Sequence, residues 1–209
     1  MELRHKLAGR FIVFDGPDGG GKSTQMARLA EKLRDWQLKV TVAVDPGGTE
    51  IGNRIRRILL DYDLSKMNVR CETLLFMASR AQLVAEVINP ARAAGHVVLC
   101  DRYISATCAY QGAAGHEIGQ IINLGRIAVE HTWPDLTLIF NIPPDEGLKR
   151  LKRKPDAMEA RSLEFHRKVH QIFCNLPSEY PGRVELIDGQ GTQDEVFGRI
   201  MERLVDVDF

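Results

Sequence analysis

The sequence lacks most features that mark secreted, membrane-bound or polymer-binding proteins. Its 28 basic and 28 acidic residues balance, so no net field draws the chain to nucleic acid or to an anionic membrane. Residues 1–10 contain no apolar signal core, and no apolar run among the 209 residues is long enough to cross a bilayer. We therefore expect a cytoplasmic protein that binds neither nucleic acid nor membranes.

Cysteine and linker sequence are also scarce. The four cysteines form no C-x-x-C pair, which favours reduced thiols over a disulfide framework or a metal site. No proline-rich or serine-rich linker divides the chain, and no internal repeat is visible. We expect a single domain over residues 1–209.

Short apolar runs alternate with longer segments of helical periodicity along the chain, a pattern typical of parallel strands joined by crossover helices. It predicts an α/β fold with five strands, at residues 10–14, 39–44, 97–100, 136–142 and 183–187. The predicted helices cover about 21–36, 50–60, 71–94, 104–110, 117–131, 144–151, 160–176 and 192–204.

The first strand is followed by a phosphate-binding P-loop of the form G-x-x-x-x-G-K-S, at residues 16–23. Glycines let successive backbone N–H groups curl into a nest for phosphate oxygens at the positive end of the next helix. Lys22 can reach the outer phosphates, and the Ser23 hydroxyl can ligate Mg²⁺. The loop predicts nucleoside triphosphate binding by Gly16, Asp18, Gly19, Gly20, Gly21, Lys22, Ser23 and Thr24.

Polar segments follow the next two strands, and all three loops are expected to meet at one edge of the sheet. After the third strand, Asp101 is placed to hold the water shell of Mg²⁺ from the side opposite Ser23. Arg102 suits a second phosphate, on an acceptor molecule. An ordinary ion pair between Asp101 and Arg102 is the alternative for both.

Seven segments, in their order along nearly the whole chain, resemble the thymidylate kinase family. They are FIVFDGPDGGGKST, DPGGT, IRRILLD, LLFMASRAQL, DRYISATCAYQG, PDLTLIFNIPPDEGLKR and LIDG. DPGGT, F-x-x-x-R and AYQG together are similar to thymidylate kinases and not to adenylate, guanylate or shikimate kinases. The resemblance implies a three-layer P-loop fold with a five-stranded parallel sheet, helices on both faces and a short lid. It also implies Mg-ATP as donor, dTMP as acceptor, dTDP and ADP as products, and usually a homodimer.

The resemblance further assigns an acceptor site. It implies that Asp18 bonds the sugar 3'-hydroxyl, Phe76 stacks on thymine and Gln111 bonds the base edge. The implied dTMP-binding residues are Asp18, Arg56, Phe76, Arg80, Arg102, Thr107, Tyr110 and Gln111, with the three arginines around the phosphate. Spacing alone leaves alternatives open: Phe76 could be a core aromatic residue, Arg80 could lie on a solvated helix face, and Gln111 could belong to a turn that ends a helix.

A basic stretch at residues 149–154 is predicted to open a mobile lid over about 149–161 that closes over ATP, or else to be a solvated helix end. Relatives with glycine at the position of Gly19 usually carry a lid arginine where this chain has Ala157. We expect Arg153 or Arg150 to supply that charge, joining Lys22, Asp101 and Arg102 as catalytic residues. Without a substitute for it, phosphoryl transfer would be slow.

The sequence thus favours a dTMP kinase of dTTP biosynthesis. A kinase of another nucleotide or nucleoside is the first alternative. A catalytically impaired nucleotide-binding regulator is the second, suggested by Ala157. The predicted homodimer also draws on the helix over 71–94, whose apolar residues exceed one narrow stripe, although burial within one monomer would explain them equally well.

Overall fold

The computed structural model describes residues 2–63, 66–151, 158–178 and 180–207. Its five strands are β1 (Phe11–Asp15), β2 (Val40–Val44), β3 (Val97–Asp101), β4 (Leu136–Asn141) and β5 (Val184–Asp188). They form one parallel sheet in the order β2-β3-β1-β4-β5. The predicted α/β class and five-stranded parallel sheet are confirmed.

Helices fill the connections between the strands. In the described part of the chain they are α1 (Glu2–Leu7), α2 (Lys22–Asp35), α3 (Glu50–Asp61), α4 (Val69–Leu83), α5 (Asn89–Ala93), α6 (Ile104–Ala113), α7 (Ile118–Val129), α8 (Pro144–Arg150), α9 (Leu163–Asn175) and α10 (Gln193–Asp206). Helix α1 was not predicted. The single helix predicted over 71–94 is instead α4, a π-helical turn at Val84–Ile88, and α5. The π-helical turn directly precedes α5, whose Pro90 has no N–H to donate to the preceding turn.

The sheet is covered on both faces, as the three-layer prediction requires. Alternate residues of β1 enter opposite cores: Phe11 and Val13 pack on one side, Ile12 and Phe14 on the other. The first core is completed by α4, α6, α7 and α9, and the second by α1, α2 and α10. Among the helices described, none has the length and apolarity that a membrane span needs.

Strand register brings three loops to one edge of the sheet. Phe14 of β1 and Val44 of β2 both pair with Asp101 of β3. Two further backbone hydrogen bonds continue this pairing past the ends of the strands. Arg102 N–H donates to the Phe14 carbonyl at 2.9 Å, and Asp45 N–H donates to the Asp101 carbonyl at 3.0 Å. The loops that follow β1, β2 and β3 therefore meet, as predicted.

Candidate functional site

A cavity of about 400 Å³ lies at this edge of the sheet. The predicted site residues that line it are Asp18, Gly19, Gly20, Gly21, Lys22, Ser23, Thr24, Arg56, Phe76, Arg80, Asp101, Arg102, Thr107, Tyr110 and Gln111. The loop after β2 adds Asp45 and Pro46, which are joined by a cis peptide bond. One continuous space thus holds both the P-loop and the residues expected to bind the acceptor.

The P-loop takes a backbone path that demands glycine. Gly19 has φ +73°, and a Cβ placed on it would lie 1.9 Å from the carbonyl oxygen of Gly147 in α8. The buried Lys22 folds back over the loop, where Nζ donates to the carbonyls of Gly16 at 3.1 Å and Pro17 at 2.7 Å. Burial, with a smaller effect from the positive charge of Arg102, lowers the pKa of Lys22 to about 8.

Ser23 and Asp101 are 78 residues apart in the chain and directly bonded in space. The Ser23 hydroxyl donates to Asp101 Oδ2 at 2.8 Å. Two oxygen atoms thus lie side by side next to the phosphate loop. Hard oxygen ligands of this kind are the ones that Mg²⁺ prefers. The ion pair considered for Asp101 and Arg102 is not seen, because the carboxylates paired with Arg102 are Asp15 and Asp18.

Arg102 occupies a strained and tightly bonded position. Its φ of +69° is in the left-handed region, which non-glycine residues rarely adopt. The guanidinium bonds Asp18, donates to the Gly16 carbonyl at 3.1 Å, and lies 5.1 Å from the centre of the Tyr110 ring. Tyr110 in turn donates its hydroxyl to Asp18 Oδ2 at 2.6 Å. Burial alone would raise the pKa of Asp18, but the charges of Arg102 and Lys22 outweigh it and lower that pKa.

Two residues that were not predicted from the sequence, Asp15 and Ser105, help to hold Arg102 in place. Asp15, the last residue of β1, is fully buried and accepts a bond from the Ser105 hydroxyl at 2.5 Å. Its other oxygen accepts from the Gly16 N–H at 2.8 Å and pairs with Arg102 at 3.4 Å. Burial raises the pKa of Asp15, although Arg102 opposes that shift. A carboxylate at the end of an apolar strand was the signal available in the sequence.

Arg80 is not on a solvated helix face, since it is 1% exposed. Its Nε donates to Asp45 Oδ2 at 2.5 Å, and one terminal nitrogen donates to the Tyr103 carbonyl and the Thr107 hydroxyl, each at 3.1 Å. The other terminal nitrogen contacts Met77 Sδ at 3.1 Å. Arg80 therefore ties the loop after β2 to α4 and α6 while it lines the cavity.

Phe76 of α4 and Gln111 of α6 also line the cavity. Gln111 lies within α6, which continues to residue 113, beyond the predicted end at 110. Its Nε2 donates to Oε1 of the buried Glu72 at 3.0 Å, and Glu72 Oε2 lies 3.6 Å from Arg161. Burial raises the pKa of Glu72, opposed by Arg161 and Gln111. Glu72 was not predicted from the sequence, although it is one helical turn before Phe76.

The segment predicted to form a lid, about 149–161, is described only at its two ends. Helix α8 ends at Arg150, whose guanidinium donates to the Gly189 carbonyl at 3.2 Å and does not line the cavity. Arg153 and Ala157 lie outside the described residues. Leu151, Met158 and Glu159 border the cavity, so the two ends of this segment reach the site.

Comparison with known proteins gives a consistent result. A family model described as thymidylate kinase matches residues 14–200. The thymidylate kinase of an Exiguobacterium strain is 42% identical over 205 residues, which is 95% of this chain and 97% of that protein. The thymidylate kinase of Syntrophotalea carbinolica is 42% identical over 199 residues, covering 91% and 92%. The crystal structure of thymidylate kinase from Ehrlichia chaffeensis matches with a TM-score of 0.77 and 26% identity, covering 95% of this chain and 99% of that one. The chain therefore belongs to the thymidylate kinase family of nucleoside monophosphate kinases.

Proposed function

We propose that this protein transfers the terminal phosphoryl group of Mg-ATP to dTMP, producing ADP and dTDP for dTTP biosynthesis. The observation that carries the proposal is one cavity that is lined both by Lys22 and Ser23 of the P-loop and by Phe76 and Gln111. A phosphate donor and a nucleotide acceptor can thus meet within one cavity, in a protein whose relatives are named thymidylate kinases.

At the donor end, the backbone N–H groups of the P-loop would hold the ATP phosphates. Lys22 would exchange its bonds to the Gly16 and Pro17 carbonyls for bonds to phosphate oxygens. Ser23 and Asp101 would hold Mg²⁺ together with the phosphates and water, since their two oxygens are adjacent and of the right chemistry. Bound there, the ion would neutralise part of the phosphate charge.

For the acceptor, the proposed roles are those that the family resemblance assigns to residues that line the cavity. Phe76 would stack on the thymine ring, and Gln111 would bond its edge. Arg102, oriented by Asp18 and Tyr110, would bind the acceptor phosphate. Asp18 would bond the sugar 3'-hydroxyl, and the other residues proposed to bind dTMP are Arg56, Arg80, Thr107 and Tyr110.

Catalysis would come from positioning and from cations aimed at the transferred group, because two anions must approach each other. Arg102 suits this task because its guanidinium is held in place by carboxylates before substrate arrives. Arg150 or Arg153, in a lid over about 149–161, would supply the charge that Ala157 does not. The bond of Arg150 to Gly189 would have to break for this to happen.

A coupled assay of ADP formation over all nucleoside monophosphates tests the proposal. We expect dTMP to give the highest kcat/KM, and equal turnover with dCMP, UMP or AMP would refute it. Calorimetry with Mg-ATP and dTMP tests the regulator alternative, which requires binding of both without product. In that case Ala157→Arg would raise the rate, because it restores a cation at the transferring phosphate.

The proposal includes a homodimer, a single domain over 1–209 and a cytoplasmic location. Leu74 of α4 and Ile127 of α7 are exposed by 53% and 77%, and they border one surface depression together with Leu124. A second copy packed there would cover apolar area. The two cores share one sheet, which supports a single domain, and the four cysteines are free thiols, which fits a reducing compartment.

A further inference from the structure

Glu72 is a buried carboxylate to which the proposed phosphoryl transfer gives no role. It is 1% exposed, in the first turn of α4, and its two oxygens contact Gln111 at 3.0 Å and Arg161 at 3.6 Å. Gln111 lines the cavity, whereas Glu72 does not. An effect of Glu72 on a bound ligand would therefore be transmitted through Gln111.

The contact with Glu72 fixes the orientation of the Gln111 amide. A glutamine side chain can present either its NH₂ group or its oxygen to a partner, and the two ends differ only in hydrogen-bonding role. An ionised carboxylate accepts hydrogen bonds and donates none, so the NH₂ end must face Glu72. The NH₂ group keeps a second N–H, and the amide oxygen, at the opposite end, is the acceptor that Gln111 can offer to the cavity. Toward the cavity, Gln111 therefore acts as a hydrogen-bond acceptor.

Arg161 supports the charge state on which this argument depends. Its guanidinium lies beside Glu72 and 4.6 Å from the centre of the Phe165 ring, which restricts its position. A cation at that distance favours the ionised form of a carboxylate. Burial raises the pKa of Glu72, and Arg161 opposes that shift. Arg161 thus helps to keep Glu72 a pure acceptor.

We propose that Glu72 is a positioning residue that sets base specificity by holding the Gln111 amide oxygen toward the base. An acceptor there pairs with the N3–H of thymine or uracil. Cytosine has no hydrogen at N3 and would leave two acceptors facing each other in a buried site, a mismatch that such sites reject strongly. Glu72 and Phe76 are one helical turn apart on α4, so the orienting carboxylate lies next to the ring expected to stack on that base. The inference rests on the proposed function, because it assumes that Gln111 contacts the base of a nucleotide.

Glu72→Gln is the direct test, since it keeps the side-chain shape and lets position 72 either accept or donate. The Gln111 amide can then turn over and accommodate cytosine. We expect the ratio of kcat/KM for dTMP to that for dCMP to fall by about 10-fold or more. The ratio of dTMP to dUMP should stay within about twofold, because both bases carry the N3–H. A variant that was merely less stable would lose activity on all three nucleotides alike, so a change in the dTMP to dCMP ratio alone indicates a change in base specificity.

A double-mutant cycle with Gln111→Leu tests the route of the effect. If Glu72 acts through Gln111, then Glu72→Gln changes the dTMP to dCMP ratio in the wild-type background and leaves it unchanged in the Gln111→Leu background. Additive changes would contradict the proposal. Glu86→Gln is the matched control for the chemical change, because Glu86 is exposed in the π-helical turn that continues α4.

The outcomes separate the inference from the function on which it rests. A wild-type protein that phosphorylates no pyrimidine monophosphate would overturn the proposed function. A wild type that prefers dTMP over dCMP, with a Glu72→Gln variant that folds and keeps that ratio, would overturn the inference alone. Should Glu72→Gln fail to fold, Glu72→Asp retains an acceptor-only group. A ratio as low as that of Gln111→Leu would then count against the proposal.

Discussion

Gly19 of the P-loop and Gly147 of α8 pack backbone against backbone. A Cβ on Gly19 would lie 1.9 Å from the Gly147 carbonyl oxygen, and a Cβ on Gly147 would lie 2.4 Å from the carbonyl oxygen of Asp18. Separations below 3 Å to backbone atoms cannot be relieved by turning a side chain. Helix α8 therefore braces the phosphate loop, and Gly147 contributes to the P-loop although it lies outside the motif.

Gly147→Ala should distort the P-loop. We expect ATP affinity to fall by about 10-fold or more and the free energy of unfolding to drop by about 1–3 kcal/mol, because the added methyl group forces backbone to move. Calorimetric titration with Mg-ATP and urea denaturation measure the two effects. Gly198→Ala in α10 is the control, since no atom lies within 4 Å of its added Cβ. It should leave binding unchanged and raise stability by up to about 1 kcal/mol. Equal ATP affinity in the two variants would show that the contact adjusts easily.

ATP binding should become coupled to proton uptake at alkaline pH. The pKa of Lys22 in the free protein is about 8, so its ammonium form predominates below that pH and is lost above it. Phosphate oxygens favour the charged form and raise the pKa on binding, so binding at pH 9 should take up close to one proton, and binding at pH 7 almost none. Burial raises the pKa values of Tyr110 and Cys100 well above their usual range, which keeps both out of this window.

Calorimetry in two buffers of different ionisation enthalpy measures that uptake. In wild type, affinity for ATP should also decline between pH 8 and pH 10, because Lys22 loses its positive charge in this range and no longer attracts the phosphates as strongly. Lys22→Arg cannot deprotonate in this range, so its affinity should not vary with pH, whatever its absolute value. A wild-type affinity that does not change from pH 7 to pH 10 would contradict the low pKa.

Local signals made much of this site predictable. The P-loop is one continuous segment whose glycines, lysine and serine have fixed spacing, and the strand pattern places Asp101 beside Ser23 at the same sheet edge. Glu72 and Asp15 escaped prediction because their partners, Gln111 and Ser105, belong to helix α6, whose packing no sequence motif specifies. A pattern of residue types within one segment contains no information on such partners. The left-handed backbone at Arg102 was invisible for the same reason.

Several of the apolar residues over 71–94, which suggested a dimer interface, are buried within one chain. Leu83, Val84 and Ile88 belong to the apolar set that suggested a dimer helix over 71–94, yet all three are buried in the core of one chain. The π-helical turn at Val84–Ile88 shifts the register of the run, so the extra apolar residues turn inward. Of that set, Leu74 remains exposed.

Removal of the Asp45 carboxylate should destabilise the protein strongly. Asp45→Ala leaves the Arg80 guanidinium buried without its counter-ion, and such losses cost about 3–5 kcal/mol. Asp45→Asn keeps an acceptor and should cost less. Glu164→Ala is the control, because its pair with Lys168 is exposed and such pairs contribute less than about 1 kcal/mol. Urea denaturation compares the three variants. Similar losses for Asp45→Ala and Glu164→Ala would mean that Arg80 finds another partner or water.

The proposed dimer can be tested at the depression bordered by Leu74 and Ile127. Ile127→Glu places a charge at the most exposed large apolar residue of the described chain, and burying it against a second copy would be costly. In sedimentation velocity at micromolar concentration, we expect a dimer for wild type and a monomer for this variant. Val205→Glu is the matched control: Val205 is 59% exposed on α10, which packs on the opposite face of the sheet, so the dimer should persist. A monomeric wild type would exclude the dimer. A dimeric Ile127→Glu variant would place the contact on another surface.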